Sequence, residues 1–210
     1  MRLFLALNLP PAERERIGRA TAPLRAAVLP VRWVETDALH LTLKFLGEVA
    51  DAQAADVQAA AARVAGEFPD FDYELRGLGG FPNLRVPRVV WVGVQAPPAL
   101  PRLAVALDQA MAGLGFPREE RPFSAHLTLG RAERGAEAGA GAFGKLAALA
   151  AEFDYAARIE AHSVDLMRSH LSPRGARYER IAAAPLGAGP AAGAAAAPRS
   201  SAGPPGGEGK

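Results

Sequence analysis

One tetrapeptide occurs twice in this chain. The first copy is His40-Leu41-Thr42-Leu43, within LHLTLKFLGE, and the second is His126-Leu127-Thr128-Leu129, within AHLTLGR, 86 positions on. Successive side chains of a strand point to opposite faces. Read as strands, both copies put His and Thr on one face and the two Leu on the other. One face is then suited to a core and the other to chemistry. A single copy would be an ordinary strand with a structural histidine. Two copies are harder to explain by packing, because a packed strand face favours Val, Ile or Phe over a repeated His and Thr. His40 and His126 are therefore the candidate catalytic pair, and Thr42 and Thr128 the candidate substrate-binding pair.

The rest of the chain arranges itself around these copies. Residues 2–9 alternate Leu3, Leu5, Leu7 and Leu9 with other residues and read as a strand. Pro10 and Pro11 open a helix to about Val28, where Pro23 is expected to bend or shorten it. Val31–Val34 reads as a short strand, and Asp51 as the N-cap of an alanine-rich helix over 51–66. Residues 71–78 and 88–94 read as paired strands around a turn-rich loop, and 99–114 as a helix stopped by Gly115. After the second copy come a helix across about 140–151 and strands over 153–160, 163–168 and 177–185. Each copy is thus followed by a helix, a strand opening Phe-Asp-Tyr (Phe71 and Phe153) and a further strand. The expected fold is α+β, with two pseudo-two-fold-related lobes of antiparallel sheet, outer helices and a cleft between them. Residues 1–186 form this domain, and 187–210, rich in Gly, Ala and Pro, read as a disordered tail.

Composition excludes several chemistries. There is no cysteine, so disulfides, thiolate zinc sites and iron–sulfur clusters are ruled out. No His-x₃-His or His/Asp/Glu cluster has ligand spacing, so no metal is expected. No glycine-rich loop has Walker spacing, and no serine sits in a nucleophile elbow. No apolar run is long enough to span a membrane, and no secretion signal of usual length is present. A soluble, cytoplasmic and monomeric protein is expected. Net charge is only +2, and the basic residues are nearly all arginine, since lysine occurs only at positions 44, 145 and 210. A GC-rich genome explains most of this bias. Arg131, two residues after the second motif, is the exception worth singling out as a phosphate clamp. Phe45, Phe81 and Phe123 are candidates for stacking a base, although core packing is the favoured reading of each.

The paired motifs resemble those of the two-histidine phosphoesterase superfamily. The chain is most similar to the RNA 2′,3′-cyclic phosphodiesterases, also described as 2′-5′ RNA ligases. The resemblance runs over about residues 1–186 and includes RLFLALNLP, RWVETDALHLTLKFLGEV, GLGGFPNLRVPRVVWVGV, RPFSAHLTLGR and MRSHLSPRGARYERIAAAPL. It departs at Ser124-Ala125, where a bulkier or proline-containing pair is expected, and in the tail. The resemblance implies that His40 is the general acid and His126 the general base. It also implies that no cofactor is needed and that the partners are RNA ends bearing a 2′,3′-cyclic phosphate, tRNA fragments among them. The chemistry is consistent. Opening the strained ring needs one group to take a proton from water and another to protonate the leaving sugar oxygen. Imidazole suits both tasks near neutral pH. A threonine hydroxyl on the same face can donate to a non-bridging oxygen. Reversible 2′-5′ ligation, or RNA-end binding in the same cleft, is the alternative reading.

One expectation concerns the tail alone. Deleting residues 188–210 should leave the melting temperature and turnover nearly unchanged, because the segment has no core-forming pattern. A melting temperature lowered by several degrees would show that it packs on the domain.

Overall fold

The computed structural model describes residues 1–136, 141–172 and 175–187. The strands are β1 (Arg2–Asn8), β2 (Val31–Trp33), β3 (His40–Glu48), β4 (Phe71–Phe81), β5 (Val89–Gln95), β6 (His126–Ala132), β7 (Ala156–Ala161), β8 (Ser163–Ser172) and β9 (Gly175–Pro185). They form one antiparallel sheet in the order β7-β4-β5-β6-β3-β1-β8-β9, with β2 added to β6. The helices are α1 (Pro11–Ala20), α2 (Ala22–Ala26), α3 (Ala54–Gly66), α4 (Ala99–Gly113) and α5 (Leu146–Ala151).

The strand order reads the same outward from its middle. β1 flanks β3 as β5 flanks β6, β8 and β4 come next, and β9 and β7 lie outermost. This is the expected α+β pair of lobes. The lobes share one sheet, joined where β3 meets β6 at the pair Leu41↔Leu127. After β3 the chain crosses between the lobes twice, going into β4 and returning into β8. β4 comes after the first motif but belongs to the second lobe, and β8 comes after the second motif but belongs to the first.

The Phe-Asp-Tyr correspondence needs correction. Phe71 opens β4, but Phe153–Tyr155 precedes β7 and is not strand. Moreover β4 and β7 pair with each other, Phe71 against Ala161, so they are neighbours in one lobe and not equivalents. The physical reason is burial. Tyr73 and Tyr155 both reach the core of the same lobe, so the motif reports packing and not symmetry. Four smaller differences are local. The helix expected to Val28 is split at Thr21, and Pro23 falls in the first turn of α2, where its missing N–H costs nothing. Asp51 begins a single 3₁₀ turn, and α3 starts at Ala54 with no side-chain cap. The helix expected from about 140 begins at Leu146; position 140 itself lies outside the described residues. Gly187, expected in the tail, donates its N–H to the Phe68 carbonyl at 2.9 Å, and residues 188–210 lie outside the described residues.

The core lies between the sheet and the helices. Leu3, Leu5 and Leu7 of β1, Leu41 of β3 and Leu127 and Leu129 of β6 are buried there with Val57, Ala61, Val64 and Ala65 of α3 and Leu100, Leu103, Leu107 and Met111 of α4. The helical residues recur at three- and four-residue intervals, which lines them up on one face. Each fully buried Leu contributes about 1.5–3 kcal/mol. On the sheet's other face a smaller cluster, Phe4, Ala6 and Met167 with Tyr178 against it, closes the first lobe.

Both motif strands carry the same irregularity. β1 pairs Ala6 with Thr42 and Leu5 with Lys44, leaving Leu43 over. β5 pairs Trp91 with Thr128 and Val90 with Gly130, leaving Leu129 over. A bulge of one residue therefore follows each threonine and shifts the alternation of faces. After it, Lys44 turns toward the helices and is 3% exposed, while Phe45 turns to the histidine face and is 55% exposed. Lys44 Nζ lies 2.7 Å from Asp108 Oδ1 on α4, and it donates to the Pro117 carbonyl at 2.6 Å and to Glu119 Oε1 at 3.3 Å. Arg118 Nε and the Glu119 N–H also donate to Asp108. Burial works against the charge on Asp108, but Lys44, the Glu119 N–H and Arg118 outweigh it and hold the carboxyl below its ordinary value. The first motif strand is thus clamped to the segment that leads into the second.

Lys44→Met should cost up to about 3–5 kcal/mol in urea unfolding, because it leaves the Asp108 carboxylate only the exposed Arg118 and one backbone N–H. Adding Asp108→Leu should recover much of that loss. A neutral Lys44→Met would show that the clamp contributes nothing to stability.

Candidate active site

The register of the joint fixes the site. From Leu41↔Leu127, the antiparallel pairing places His40 across from Thr128 and Thr42 across from His126. Leu41 and Leu127 are fully buried on the helix side, so the four polar residues share the opposite face. The two histidines are diagonal neighbours on that face.

Both imidazoles are held in the same way. His40 Nδ1 donates to the Ala38 carbonyl and His126 Nδ1 to the Ser124 carbonyl, each at 2.8 Å and each two residues upstream. A carbonyl can only accept, so Nδ1 carries a hydrogen in both rings and Nε2 is the nitrogen left for chemistry. The threonines beside them are half-buried. Their hydroxyls share the face on which both Nε2 atoms are available.

The surroundings of the two rings differ. His40 packs between Phe4 and Tyr178, with ring centroids 4.8 Å from each. Burial there lowers its pKa to about 4; the Ala38 carbonyl opposes the shift, and the charges of Arg14 and Arg131 add to it. His126 is the more open ring, and Phe81 meets it edge-on at 5.0 Å. Arg131 pairs with Val89 after the bulge, which returns it to the histidine face. Its charge is felt by both His40 and Tyr178, across the joint from its own strand. Phe45 and Phe81 stand exposed on this face, whereas Phe123 packs against the main core.

The structure therefore brings His40, Thr42, His126, Thr128 and Arg131 to one face. The residues that sequence reasoning missed are Phe4 and Tyr178, which pack on His40, and Asn8 and Asp165, which line the cavity beside it. Asn8 is paired with His40 across β1 and β3, and its Nδ2 donates to the buried Asp165 at 2.6 Å. Tyr178 comes from β9, three strands along the sheet from β3, and no spacing in the sequence predicts that contact. His170 lies elsewhere, paired with Glu179, while His162, paired with Asp70, lines the cavity beside His40. Among the described residues no group of three or more His, Asp or Glu could hold a metal ion, and no helix is long and apolar enough to cross a membrane.

The buried neutral state of His40 couples folding to pH. Its folded pKa lies below the unfolded value, so the unfolded chain binds more protons between about pH 6.5 and 4, and stability falls as pH is lowered through that window. Relative to His40→Asn, the wild type should lose on the order of 2 kcal/mol between pH 7 and 4.5, measured by urea unfolding. Parallel stability curves for the two proteins would contradict this environment.

Comparison with known proteins gives a consistent picture. The family described as LigT like Phosphoesterase matches over residues 7–91 and again over 92–178. An RNA 2′,3′-cyclic phosphodiesterase of Methanothermobacter thermautotrophicus is 34% identical over 180 residues, covering 85% of this chain and 95% of the relative. A crystal structure from Thermus thermophilus superposes with a TM-score of 0.71 at 30% identity, covering 90% of this chain and 99% of the other. Escherichia coli LigT, solved in complex with 3′-AMP, gives 0.66 at 31% identity, covering 88% and 97%.

Proposed function

The chain belongs to the LigT-like phosphoesterase family, and we propose that it hydrolyses RNA 2′,3′-cyclic phosphodiester ends to 2′-phosphomonoesters without a metal. The observation that carries this reading is the pair of identically anchored imidazoles, each with Nε2 free, facing one another across the Leu41–Leu127 joint. The cyclic phosphate sits between them. His126 Nε2 takes a proton from water as it attacks phosphorus, and His40 Nε2 gives one to the departing O3′. Thr42 and Thr128 donate to the non-bridging oxygens, where charge builds in the transition state. Arg131 adds a cation on the same face. Residues 1–186 form the catalytic unit, which works in the cytoplasm as a monomer on RNA ends, tRNA fragments among them.

The acid role asks His40 to be protonated, while burial keeps it neutral at pH 7. The substrate resolves this conflict. A phosphodiester anion placed beside His40 offsets Arg14 and Arg131, the two charges that depress it. Binding therefore raises the His40 pKa and charges the acid only when there is a bond to break.

Hydrolysis of a cyclic-phosphate oligonucleotide should proceed in excess EDTA. His40→Ala and His126→Ala should each lower turnover by about 10²–10⁴-fold. A nitrophenyl phosphodiester, whose leaving group needs no proton, should partly rescue His40→Ala and not His126→Ala; the opposite pattern would exchange the two roles. The alkaline limb of the kcat profile should lie above that of kcat/KM, since only the former reports the bound state. Activity abolished by chelation, or near-normal turnover in either alanine variant, would sink the mechanism.

A further inference from the structure

Beside His40, on the side away from β6, lies a cavity of about 490 Å³ framed by the end of β1, the start of α1 and strands β8 and β9. It shares His40 with the phosphate site but reaches none of His126, Thr42, Thr128 or Arg131. A volume of this size holds a nucleoside. We propose that it is a second subsite, which receives the RNA residue 5′ to the one bearing the cyclic phosphate. The inference rests on the cyclic-phosphate reading above, with His40 on the leaving-group side.

Direction comes from the chemistry. The acid protonates the oxygen that stays on the ribose, so the terminal sugar lies against His40. The RNA chain continues from that sugar through its O5′, away from the attacking water and His126. The exposed rings of Phe45 and Phe81 flank the cleft and are available to the terminal base. The space beyond His40 is then the chain's next station.

The walls fit a neutral, hydrogen-bonding ligand joined to a phosphodiester. Asp165 is 2% exposed and sits at the base of the cavity. Its Oδ2 accepts from Asn8 Nδ2 at 2.6 Å, its Oδ1 accepts from Ser163 Oγ at 3.0 Å, and Arg180 Nη1 lies 3.7 Å from Oδ2. The carboxylate fixes the Asn8 amide with its NH₂ inward, which turns the amide oxygen away from the carboxylate as an acceptor. It also tethers Arg180, whose side chain is otherwise 60% exposed. On the opposite wall Arg14 is held by the carbonyls of Leu9 and Asp37 at 3.0 and 2.7 Å. Two guanidinium groups on the lining, Arg14 held by hydrogen bonds and Arg180 drawn in by its ion pair, suit a linking phosphodiester. Asp37, Glu160, Asp165 and His162 also line the space; His162 is already paired with Asp70 and Glu160, and the three acidic residues make the space a poor site for a free inorganic anion.

The experiment compares cytidine 2′,3′-cyclic phosphate with the dinucleotide ApC ending in the same cyclic phosphate. Wild-type kcat/KM should favour the dinucleotide by about tenfold or more, the scale of one bound base. Arg180→Gln should collapse that ratio, lowering the dinucleotide value far more than the mononucleotide one. Competition by the two 2′-phosphate products gives an affinity readout that does not depend on turnover, and it should show the same loss. Equal kcat/KM for the two substrates in the wild type would overturn the subsite and leave the hydrolase reading standing. So would an equal fall for both in Arg180→Gln, which would mean that Arg180 acts through His40. If neither substrate is turned over, the hydrolase reading fails, and equal product affinities would then overturn the subsite as well.

Discussion

The site depends on one strand pair. β3 and β6 meet at Leu41 and Leu127, and that meeting joins the two lobes and sets which polar residue stands across from which. A slip of one residue would turn every side chain of the slipped strand to the other face. His126 and Thr128 would enter the core without partners, and Leu127 and Leu129 would reach solvent. Both changes are costly, the first through desolvation of polar groups and the second through lost burial. The geometry of the cleft is thus held by leucines that take no part in chemistry. The apolar half of the tetrapeptide places the polar half.

The bulge after each threonine completes the arrangement. Without it, Phe45 and Arg131 would face the helices, and Lys44 would face the cleft. With it, the strand supplies two cleft residues, skips one, and then supplies a third. In the first lobe the displaced residue is Lys44, which becomes the buried clamp to Asp108. In the second it is Gly130, where a Cβ would lie 2.5 Å from Val31 and 3.0 Å from the Arg32 carbonyl, so only glycine lets β2 approach. The same backbone device therefore serves two structural needs.

Much of this was legible in the chain. The period-two alternation of HLTL located both motif strands and the faces of His40, Thr42, His126 and Thr128, because alternation is a local property. The helices over 54–66 and 99–113 and the paired strands β4 and β5 were readable for the same reason. What was not readable is nonlocal. The exchange of β4 and β8 between lobes is set by which edge each strand finds, and the Phe-Asp-Tyr echo pointed to the wrong correspondence. The bulges were hidden because Leu43 and Leu129 look like ordinary core residues. Lys44 reads as a surface lysine until Asp108 is brought beneath it from α4. Tyr178 reaches His40, and Asp165 reaches the neighbouring Asn8, only through β9 and β8, which no spacing near the motif announces.

The shared Nδ1 anchors set the proton inventory of a turnover. With one nitrogen of each ring committed to a carbonyl, a proton can enter or leave only at Nε2. Under the proposed roles a cycle consumes the proton on His40 and deposits one on His126, so the pair ends each turnover with its charges exchanged. No direct relay between the rings restores them while a phosphate lies between. Regeneration must run through solvent, out from the open His126 once product has gone and back to His40 when the next phosphodiester binds. A product that lingers therefore does more than occupy the cleft: it delays both the release of the His126 proton and the binding that recharges His40.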